Sequence, residues 1–291
     1  MLDVPPVVRS KALAMGAEAW LAALPAHVEA LALRWNLTFG RVFEDGTEAL
    51  VVEAGVDTVL KIGLPTAERA SELTVLRLTA GDGCVKLLAA DDELGAMLLE
   101  RLGPSLHSLE LPVQERHEIL VDTAQRVWRR APRAALPSGA DGARSLAAFI
   151  PEAYEATGRP CSERAIQHAL ACAAAREAAH DDARAVLVHG DVHEWNVLQA
   201  GDGWKLVDPD GLLAEPEYDL GVIMRESPEE DDLLTRASWL AARTGLDPVA
   251  IWEWGVAQRV STGLLATRIG LQPVGAQMLA RADEVAELWN L

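Results

Sequence analysis

The chain has 291 residues, of which 50% are apolar and 24% charged, so its length and composition are those of a globular protein with ample core. Its 44 acidic side chains against 26 basic ones give a net charge of −18. That excess argues against nucleic acid and anionic membranes as partners, because both bind basic surfaces, and it suits a cationic small molecule or solubility alone.

The N-terminus and the cysteines predict a cytoplasmic protein. The chain opens with an acid and two prolines and has no apolar h-region, so we expect no signal peptide, and no apolar run approaches the length of a membrane span. Cys84, Cys161 and Cys172 lie far apart without CxxC or metal-ligand spacing. Buried free thiols in a reducing compartment are therefore expected.

The first part of the chain changes from a helical pattern to a strand pattern. Apolar residues at helical spacing over 15–35 predict one helix, or two that break at Pro25. Three strand-like runs follow, and Asp45-Gly46 predicts a hairpin between the first two. The antiparallel meander that these runs predict covers residues 37–43, 49–53 and 58–62.

Lys61 lies in the third run, within Val59-Leu60-Lys61-Ile62. A lysine at such a position either faces outward or corresponds to the phosphate-binding lysine of the V-A-I-K pattern, and its place after the meander favours the second. The next helix, predicted over 67–79, offers Glu68 and Glu72 one turn apart as acidic partners. Two further strands over 85–89 and 96–100 complete a five-stranded sheet.

From residue 109 onward the pattern becomes helical. A segment with two prolines and two glycines predicts a loop over 131–143. Ser162 is a candidate N-cap for the helix that follows it. The helices are predicted over 112–128, 146–157, 164–180, 219–225, 231–244, 247–269 and 274–288.

The stretch over 185–210 combines short strands with three oxygen-bearing side chains. It reads as strand, loop, strand, turn and strand, with Asp191 after the first strand and Asp208 after the last. Asn196 follows Asp191 with D-x-x-x-x-N spacing. Phosphoryl transfer to a hydroxyl needs a carboxylate that takes up the proton, and an amide oxygen and second carboxylate that hold Mg²⁺. We therefore predict Asp191 as the base and Asn196 and Asp208 as the Mg²⁺ ligands.

The motif around these residues resembles the aminoglycoside phosphotransferase family. The matching string is His189-Gly190-Asp191-Val192-His193-Glu194-Trp195-Asn196, followed by Val207-Asp208-Pro209-Asp210-Gly211. The longer string that continues through Glu215-Pro216-Glu217-Tyr218-Asp219 is similar to the streptomycin 6-kinase and hydroxyurea phosphotransferase branch, whose usual form is DPKG…EPxYD. Asp210 stands where that branch usually has lysine.

This resemblance implies an α+β, bilobal, protein-kinase-like fold. The N-lobe would comprise residues 1–102, with an antiparallel five-stranded sheet and a helix, and the C-lobe would comprise residues 103–291 and be mainly helical. It further implies an ATP- and Mg²⁺-dependent O-phosphotransferase whose partners are a nucleotide and a small hydroxylated, cationic acceptor such as a streptomycin-like aminoglycoside. A hydroxyurea or small-metabolite kinase is the alternative. Protein substrates are not expected, because no D-F-G…A-P-E pair is present.

The resemblance also implies roles for residues outside the three central ones. Around the nucleotide, Lys61 would pair with Glu72, and the hairpin and hinge would supply further contacts through Gly46, Thr47, Glu100 and Leu102. His189 would brace the catalytic loop, and Asp219 would hold it from a helix. The residues expected near the acceptor, all downstream of the metal ligand, are Asp210, Glu215, Glu217 and Arg225, with Glu226 beside them.

Two other functions remain open from the sequence. The spacing His189-x-Asp191-x-His193 permits a Zn²⁺ or Fe hydrolase, although no outlying His or Asp cluster completes the ligand set and Lys61 would stay unexplained. The second is a catalytically inactive kinase-like binding protein, which the presence of the expected base, metal ligands and lysine disfavours. The sequence does not distinguish a monomer from a dimer.

Overall fold

The computed structural model describes residues 3–44, 49–66, 68–132, 134–227 and 233–288. The chain divides into two compact units. Unit 1 comprises Met1–Pro104 together with Leu198–Val207, and unit 2 comprises Ser105–Val197 together with Asp208–Leu291. Unit 1 therefore includes a later segment of ten residues that the sequence had assigned to the C-lobe.

Unit 1 is built on a five-stranded antiparallel sheet, as predicted. Its order is β1-β2-β3-β5-β4, so the last two strands exchange places relative to the chain. The strands are β1 Phe39–Val42, β2 Ala49–Ala54, β3 Thr58–Gly63, β4 Leu87–Asp91 and β5 Ala96–Glu100. The fourth strand begins at Leu87, whereas the sequence placed its start at residue 85.

Three helices belong to unit 1: α1 Pro6–Ala14, α2 Glu18–Trp35 and α3 Glu68–Thr79. The sequence did not predict α1, although proline in a first turn suits a helix start because its missing N–H has no partner there anyway. Pro25 lies inside α2 and does not end it. The buried face of α2 packs against β2 and β3, and this burial offsets the hydrogen bond that proline removes.

Unit 2 is mainly helical, in agreement with the sequence. Its helices are α4 Val113–Gln125, α5 Gly139–Ala156, α6 Glu163–Ala179, α7 Glu217–Ile223, α8 Leu233–Thr244, α9 Pro248–Arg268 and α10 Val274–Leu288, with a short 3₁₀ helix over Leu106–Leu109. Ser162 caps α6 as expected, because its hydroxyl accepts from the backbone N–H of Ala165 at 3.1 Å.

The loop predicted over 131–143 is wrong at its C-terminal end, because α5 already begins at Gly139. Ser138 and Asp141 form a capping box at this position. The Ser138 hydroxyl accepts from Asp141 N–H at 3.1 Å, and the Asp141 carboxylate accepts from Ser138 N–H at 2.8 Å. Two otherwise unpaired helix N–H groups are satisfied in this way, and the helix starts despite two glycines in its first turn.

Four short strands surround the central motif: β6 Val186–Val188, β7 Val197–Ala200, β8 Gly203–Leu206 and β9 Leu212–Ala214. The sequence missed β9, which pairs antiparallel with β6. β8 joins unit 1 through a backbone bond from Val85 N–H to Leu206 C=O at 2.8 Å. β7 joins it through Gly103 N–H to Gln199 C=O, also at 2.8 Å.

Helix α7 packs closely against α9 because Gly221 has no side chain. A Cβ atom at that position would lie 2.3 Å from Cβ of Trp254. All seven residues of α7 are buried, and the helix carries Asp219 towards the loop that follows β6. This close approach therefore positions the candidate site.

The three cysteines, all within the described part of the chain, form no disulfide. Cys84 and Cys172 are buried as predicted, whereas Cys161 is only half-buried. Burial raises the pKa of Cys161 and Cys172 to about 12, so neither is a reactive thiolate near neutral pH. Among the described residues, no helix combines the length and apolarity needed to cross a membrane.

Candidate active site

The loop that follows β6 is held from α7 by one buried carboxylate. Asp219 accepts from the backbone N–H of His189 at 3.0 Å and of Gly190 at 2.8 Å. Trp128 Nε1 donates to the same carboxylate at 2.8 Å. Burial raises the pKa of Asp219 to about 6, since the three donors offset only part of the cost of placing a charge there. Asp219 therefore binds the loop backbone at two consecutive residues, His189 and Gly190.

His189 and Gly190 shape the turn that presents Asp191. Gly190 has φ +92°, a conformation that side chains disfavour. The buried His189 ring accepts from the backbone N–H of Asp191 at 3.2 Å through Nδ1. The imidazole therefore binds the loop backbone at Asp191 itself.

Asp191 is surrounded by three donors. Its Oδ2 lies 3.1 Å from His193 Nε2 and accepts from Asn196 Nδ2 at 3.0 Å. Its Oδ1 is ion-paired with Arg225. Burial would raise the pKa of Asp191, but the charge of Arg225 and the contacts with His193 and Arg225 outweigh it and hold the pKa well below its usual range. The carboxylate is therefore ionised and fixed in orientation.

The amide of Asn196 has a defined orientation. Its Nδ2 donates to both the backbone oxygen of Asp191, at 3.1 Å, and the Oδ2 carboxylate oxygen, at 3.0 Å. Both partners are acceptors, so Oδ1 must lie on the opposite side of the amide. An amide oxygen is a hard donor of the kind that Mg²⁺ prefers.

Asp208 is the second predicted metal ligand. It follows β8, is exposed, and has the left-handed φ of +57° that few non-glycine residues adopt. Within the described ranges, no group of three or more His, Cys, Asp or Glu side chains has a metal-binding arrangement. Mg²⁺ commonly takes only one or two protein oxygens and completes its ligand set with phosphate and water, so the prediction for Asn196 and Asp208 does not depend on such a group.

In unit 1, Lys61 and Glu72 form an ion pair between β3 and α3. The distance from Lys61 Nζ to Glu72 Oε1 is 2.6 Å, and each residue is only 8% exposed. The alternative of an outward-facing lysine is therefore wrong. Buried charges of this kind persist when each compensates the other, and the pair fixes the direction of the ammonium group.

The segment over 100–103 lines a concave site of about 490 Å³ in unit 1, together with residues 199–201 and 205. The Glu100 carboxylate accepts from Lys86 N–H at 2.7 Å and pairs with Lys205, so it stabilises the local fold. The peptide N–H and C=O of Leu102 have no hydrogen-bond partner among the residues that the structure describes. Gly46 and Thr47 lie outside the described residues.

Comparison with known proteins identifies the family. A model of the aminoglycoside/hydroxyurea antibiotic resistance kinases matches residues 34–268. The chain belongs to this family. A streptomycin 6-kinase from Streptomyces glaucescens is 35% identical over 76% of this chain and 74% of its own length. A hydroxyurea phosphotransferase from Kitasatospora aureofaciens is 31% identical over 83% of this chain and 72% of its own length.

Solved structures show the same fold at low sequence identity. A mutant of the aminoglycoside phosphotransferase APH(4)-Ia, in a ternary complex with ADP and hygromycin B, has a TM-score of 0.62 and 14% identity and covers 90% of this chain and 98% of its own. The choline kinase LicA from Streptococcus pneumoniae has a TM-score of 0.60 and 12% identity and covers 92% and 100%. The predicted kinase-like fold is therefore confirmed.

In this antibiotic resistance kinase, the structure assigns two of the residues expected near the acceptor to other contacts. Glu215 accepts from Trp254 Nε1 at 2.8 Å and from Arg176 at 3.1 Å. Glu217 is 4% exposed and accepts from the N–H of Asp247, the residue that caps α9, at 3.1 Å. These carboxylates hold α9 in place, so we do not retain them in an acceptor site. Asp210, by contrast, is exposed in the loop before β9.

The sequence interpretation missed the role of His193 and the partner of Arg225. His193 was considered only as a metal ligand, yet its ring lies between Asp191 and the backbone N–H of Trp195, which donates to Nδ1 at 3.3 Å. Arg225 was expected at the acceptor, and the structure pairs it with Asp191 and with Thr262 Oγ1, the latter at 3.1 Å. The HxDxH spacing was the available signal for His193, whereas no local pattern indicates Arg225.

Proposed function

We propose that this kinase transfers the γ-phosphoryl group of ATP to a hydroxyl of a cationic, streptomycin-like aminoglycoside. The observation that carries the proposal is the ionised Asp191 held beside the oriented amide of Asn196. In a family that contains streptomycin 6-kinases, this is the pairing of a base with a metal ligand that phosphoryl transfer needs.

Asp191 would bind the acceptor hydroxyl and receive its proton. Its low pKa is compatible with this role, because the proton leaves late in a loose transition state and the carboxylate mainly positions the hydroxyl. Three donors fix its orientation before any substrate arrives, so little ordering remains to be done on binding.

Asn196 and Asp208 would hold Mg²⁺ through their side-chain oxygens. When bound, the ion neutralises charge on the phosphates and orients them. The fit rests on the direction of the Asn196 amide, which leaves Oδ1 pointing away from Asp191.

The nucleotide side of the proposal rests on unit 1. The Lys61 ammonium, directed by Glu72, would bind phosphate oxygens. The peptide groups of Leu102, which have no partner in the described structure, would bind an adenine edge. Gly46 and Thr47 remain predicted contacts to the phosphates.

The cationic acceptor is proposed from charge. The chain carries −18 overall, and Asp210 places an exposed carboxylate near the metal ligand in sequence, where the related branch usually has a lysine. A carboxylate at this position would attract an ammonium or guanidinium group by charge-assisted hydrogen bonding. A hydroxyurea kinase is the second candidate, because the hydroxyurea phosphotransferase relative is 31% identical to this chain.

The test is an assay of Mg·ATP consumption with streptomycin, other aminoglycosides and hydroxyurea, in which the phosphorylated product is detected by mass spectrometry. We expect turnover with streptomycin or another aminoglycoside, and none with Asp191→Asn. Turnover of hydroxyurea alone would favour the second candidate. Nucleotide binding without turnover of any acceptor would indicate an inactive binding protein and overturn the proposal.

A further inference from the structure

One tryptophan of the catalytic loop is exposed. Trp195, which directly precedes Asn196, is 57% exposed. Among the tryptophans that the structure describes, it is the only one in the exposed class. Exposed aromatic rings with one polar edge are typical of binding surfaces, since each offers a large apolar face at low conformational cost.

The ring is nevertheless held in one place. Trp195 stacks on His107, with ring centroids 3.9 Å apart and planes inclined by 21°. One indole face is covered by the imidazole, so the exposure lies on the other face. We call this pair of rings, Trp195 with His107, the aromatic platform.

The backbone that carries the aromatic platform is anchored at a buried residue, Glu194. His107 donates its backbone N–H to the Glu194 carbonyl at 3.2 Å. Glu194 is 3% exposed, and both its carboxylate oxygens accept from Arg116 Nη1, at 2.7 and 2.6 Å. The open indole face is therefore pre-organised, which lowers the entropy cost of binding a ligand there.

The backbone that carries Trp195 is connected to the candidate base through one imidazole. His193 accepts from the backbone N–H of Trp195 at 3.3 Å and contacts Asp191 Oδ2 at 3.1 Å. On the other side, the next residue, Asn196, donates to Asp191 at 3.0 Å. The platform residue Trp195 therefore belongs to the same loop as Asp191, between His193 and Asn196, which both contact Asp191.

We infer that the aromatic platform is an acceptor subsite that binds a guanidinium or ammonium group of a cationic saccharide through the open face of Trp195. The inference rests on the proposed function and adds to it the group that recognises the cation. An indole face attracts cations through its quadrupole, more strongly than phenyl or phenol rings do. The high negative charge of the chain favours a cationic ligand over an anionic one.

The test compares Trp195→Leu and Trp195→Phe with the wild type, using streptomycin as a probe with two guanidinium groups. Steady-state kinetics and calorimetric titration of streptomycin are measured at saturating and zero ATP, respectively. We expect Trp195→Leu to raise KM and Kd for streptomycin about 3- to 30-fold, the range for a cation–π contact. We expect kcat and the KM for ATP to change less than twofold. Trp195→Phe, which keeps a π face, should recover part of the affinity.

Trp252→Leu is the matched control. Trp252 also lies beside a histidine of unit 2, His168, with centroids 6.3 Å apart, but it belongs to α9. It should leave streptomycin affinity unchanged, and thermal unfolding of all variants identifies any general loss of fold.

The outcomes separate the two proposals. If streptomycin is phosphorylated and Trp195→Leu leaves its KM and Kd unchanged, the platform is not a subsite and the proposed function stands. If streptomycin binds more weakly to Trp195→Leu but no aminoglycoside is phosphorylated, the platform stands and the proposed function fails. An equal loss of affinity for ATP and streptomycin, or no binding of streptomycin to the wild type, would overturn the platform.

Discussion

Arg225 and Asp191 are ion-paired within unit 2, although 34 residues separate them in the sequence. The guanidinium is largely buried, with its side chain 12% exposed, and its second contact is to Thr262 on α9. Its charge lowers the pKa of Asp191 and keeps the carboxylate ionised, which is the state that the proposed role in positioning a hydroxyl requires.

Asp191→Ala is expected to lower kcat about 10²- to 10⁴-fold, because a positioned base contributes on that order. Nucleotide should still bind, since the Lys61–Glu72 pair and the segment over 100–103 lie in unit 1. Steady-state kinetics and nucleotide titration measure both effects. Turnover close to wild type would show that another group receives the proton.

Glu72→Gln is expected to destabilise the protein by about 3–5 kcal/mol, because removing one partner of a buried ion pair leaves the other charge uncompensated. The KM for ATP should also rise as Lys61 loses its direction. Urea unfolding and kinetics measure the two effects. The control is Arg77→Gln at the exposed Arg77–Asp92 pair, 2.8 Å long, which should cost about 0–1 kcal/mol. Equal costs for both variants would contradict the assigned role of Glu72.

Asp208→Ala is expected to abolish the Mg²⁺ dependence of nucleotide binding, because that carboxylate would join metal and phosphates. Calorimetric titration with ATP in the presence and absence of Mg²⁺ measures it. Asp202, in the turn between β7 and β8, provides a control carboxylate for the parallel substitution to Ala. Unchanged Mg·ATP affinity in Asp208→Ala would remove Asp208 from the ligand set.

Asp210→Lys is expected to raise the KM of cationic acceptors more than the KM for ATP. The attraction should weaken with salt, because exposed charges are screened over about 8 Å at physiological ionic strength. Kinetics with both substrates varied, at two salt concentrations, test this. A change confined to the KM for ATP would indicate that Asp210 contributes to metal binding. Equal use of neutral and cationic acceptors would contradict a preference for cations.

His117 on α4 is expected to destabilise the protein in acid. Burial, with the charges of Arg236 and Arg116, lowers its pKa from 6.5 to about 3. At a pH between about 3 and 6.5, His117 is therefore protonated in the unfolded chain but neutral in the folded chain. The stability that neutral His117 contributes is complete above pH 6.5 and is lost as pH falls towards 3, at about 1.4 kcal/mol per pH unit.

His117→Phe should remove this contribution. Thermal unfolding of the variant should therefore depend less on pH between 7 and 4.5 than that of the wild type. Burial also lowers the pKa of His168, to about 4, so His168 should likewise destabilise the protein in acid. The unfolding temperature of a variant with Phe at both positions should therefore depend on pH even less. Parallel pH profiles for wild type and variants would contradict the buried neutral imidazoles.

Much of the fold could be predicted because strands, helices and short motifs are encoded by residues close together in the sequence. Alternating and helical periodicities marked the five strands of unit 1 and most helices, and D-x-x-x-x-N spacing brought Asp191 and Asn196 within hydrogen-bond distance on one loop. Even the early start of α5 has a local cause, the capping box of Ser138 and Asp141, which the Pro- and Gly-rich composition around it concealed.

The contacts that define the site's charge state join distant parts of the chain. Packing of α7 on α9 brings Arg225 to Asp191 and gives Glu215 and Glu217 partners on α9, which no spacing in the sequence indicates. Lys61 is buried because α3 covers that side of the sheet and supplies Glu72. Likewise, one face of the Trp195 ring is covered by His107, which lies 88 positions earlier in the sequence. The packing of helices and strands determines which side chains become partners, and a buried group stays charged only where such a partner compensates its charge.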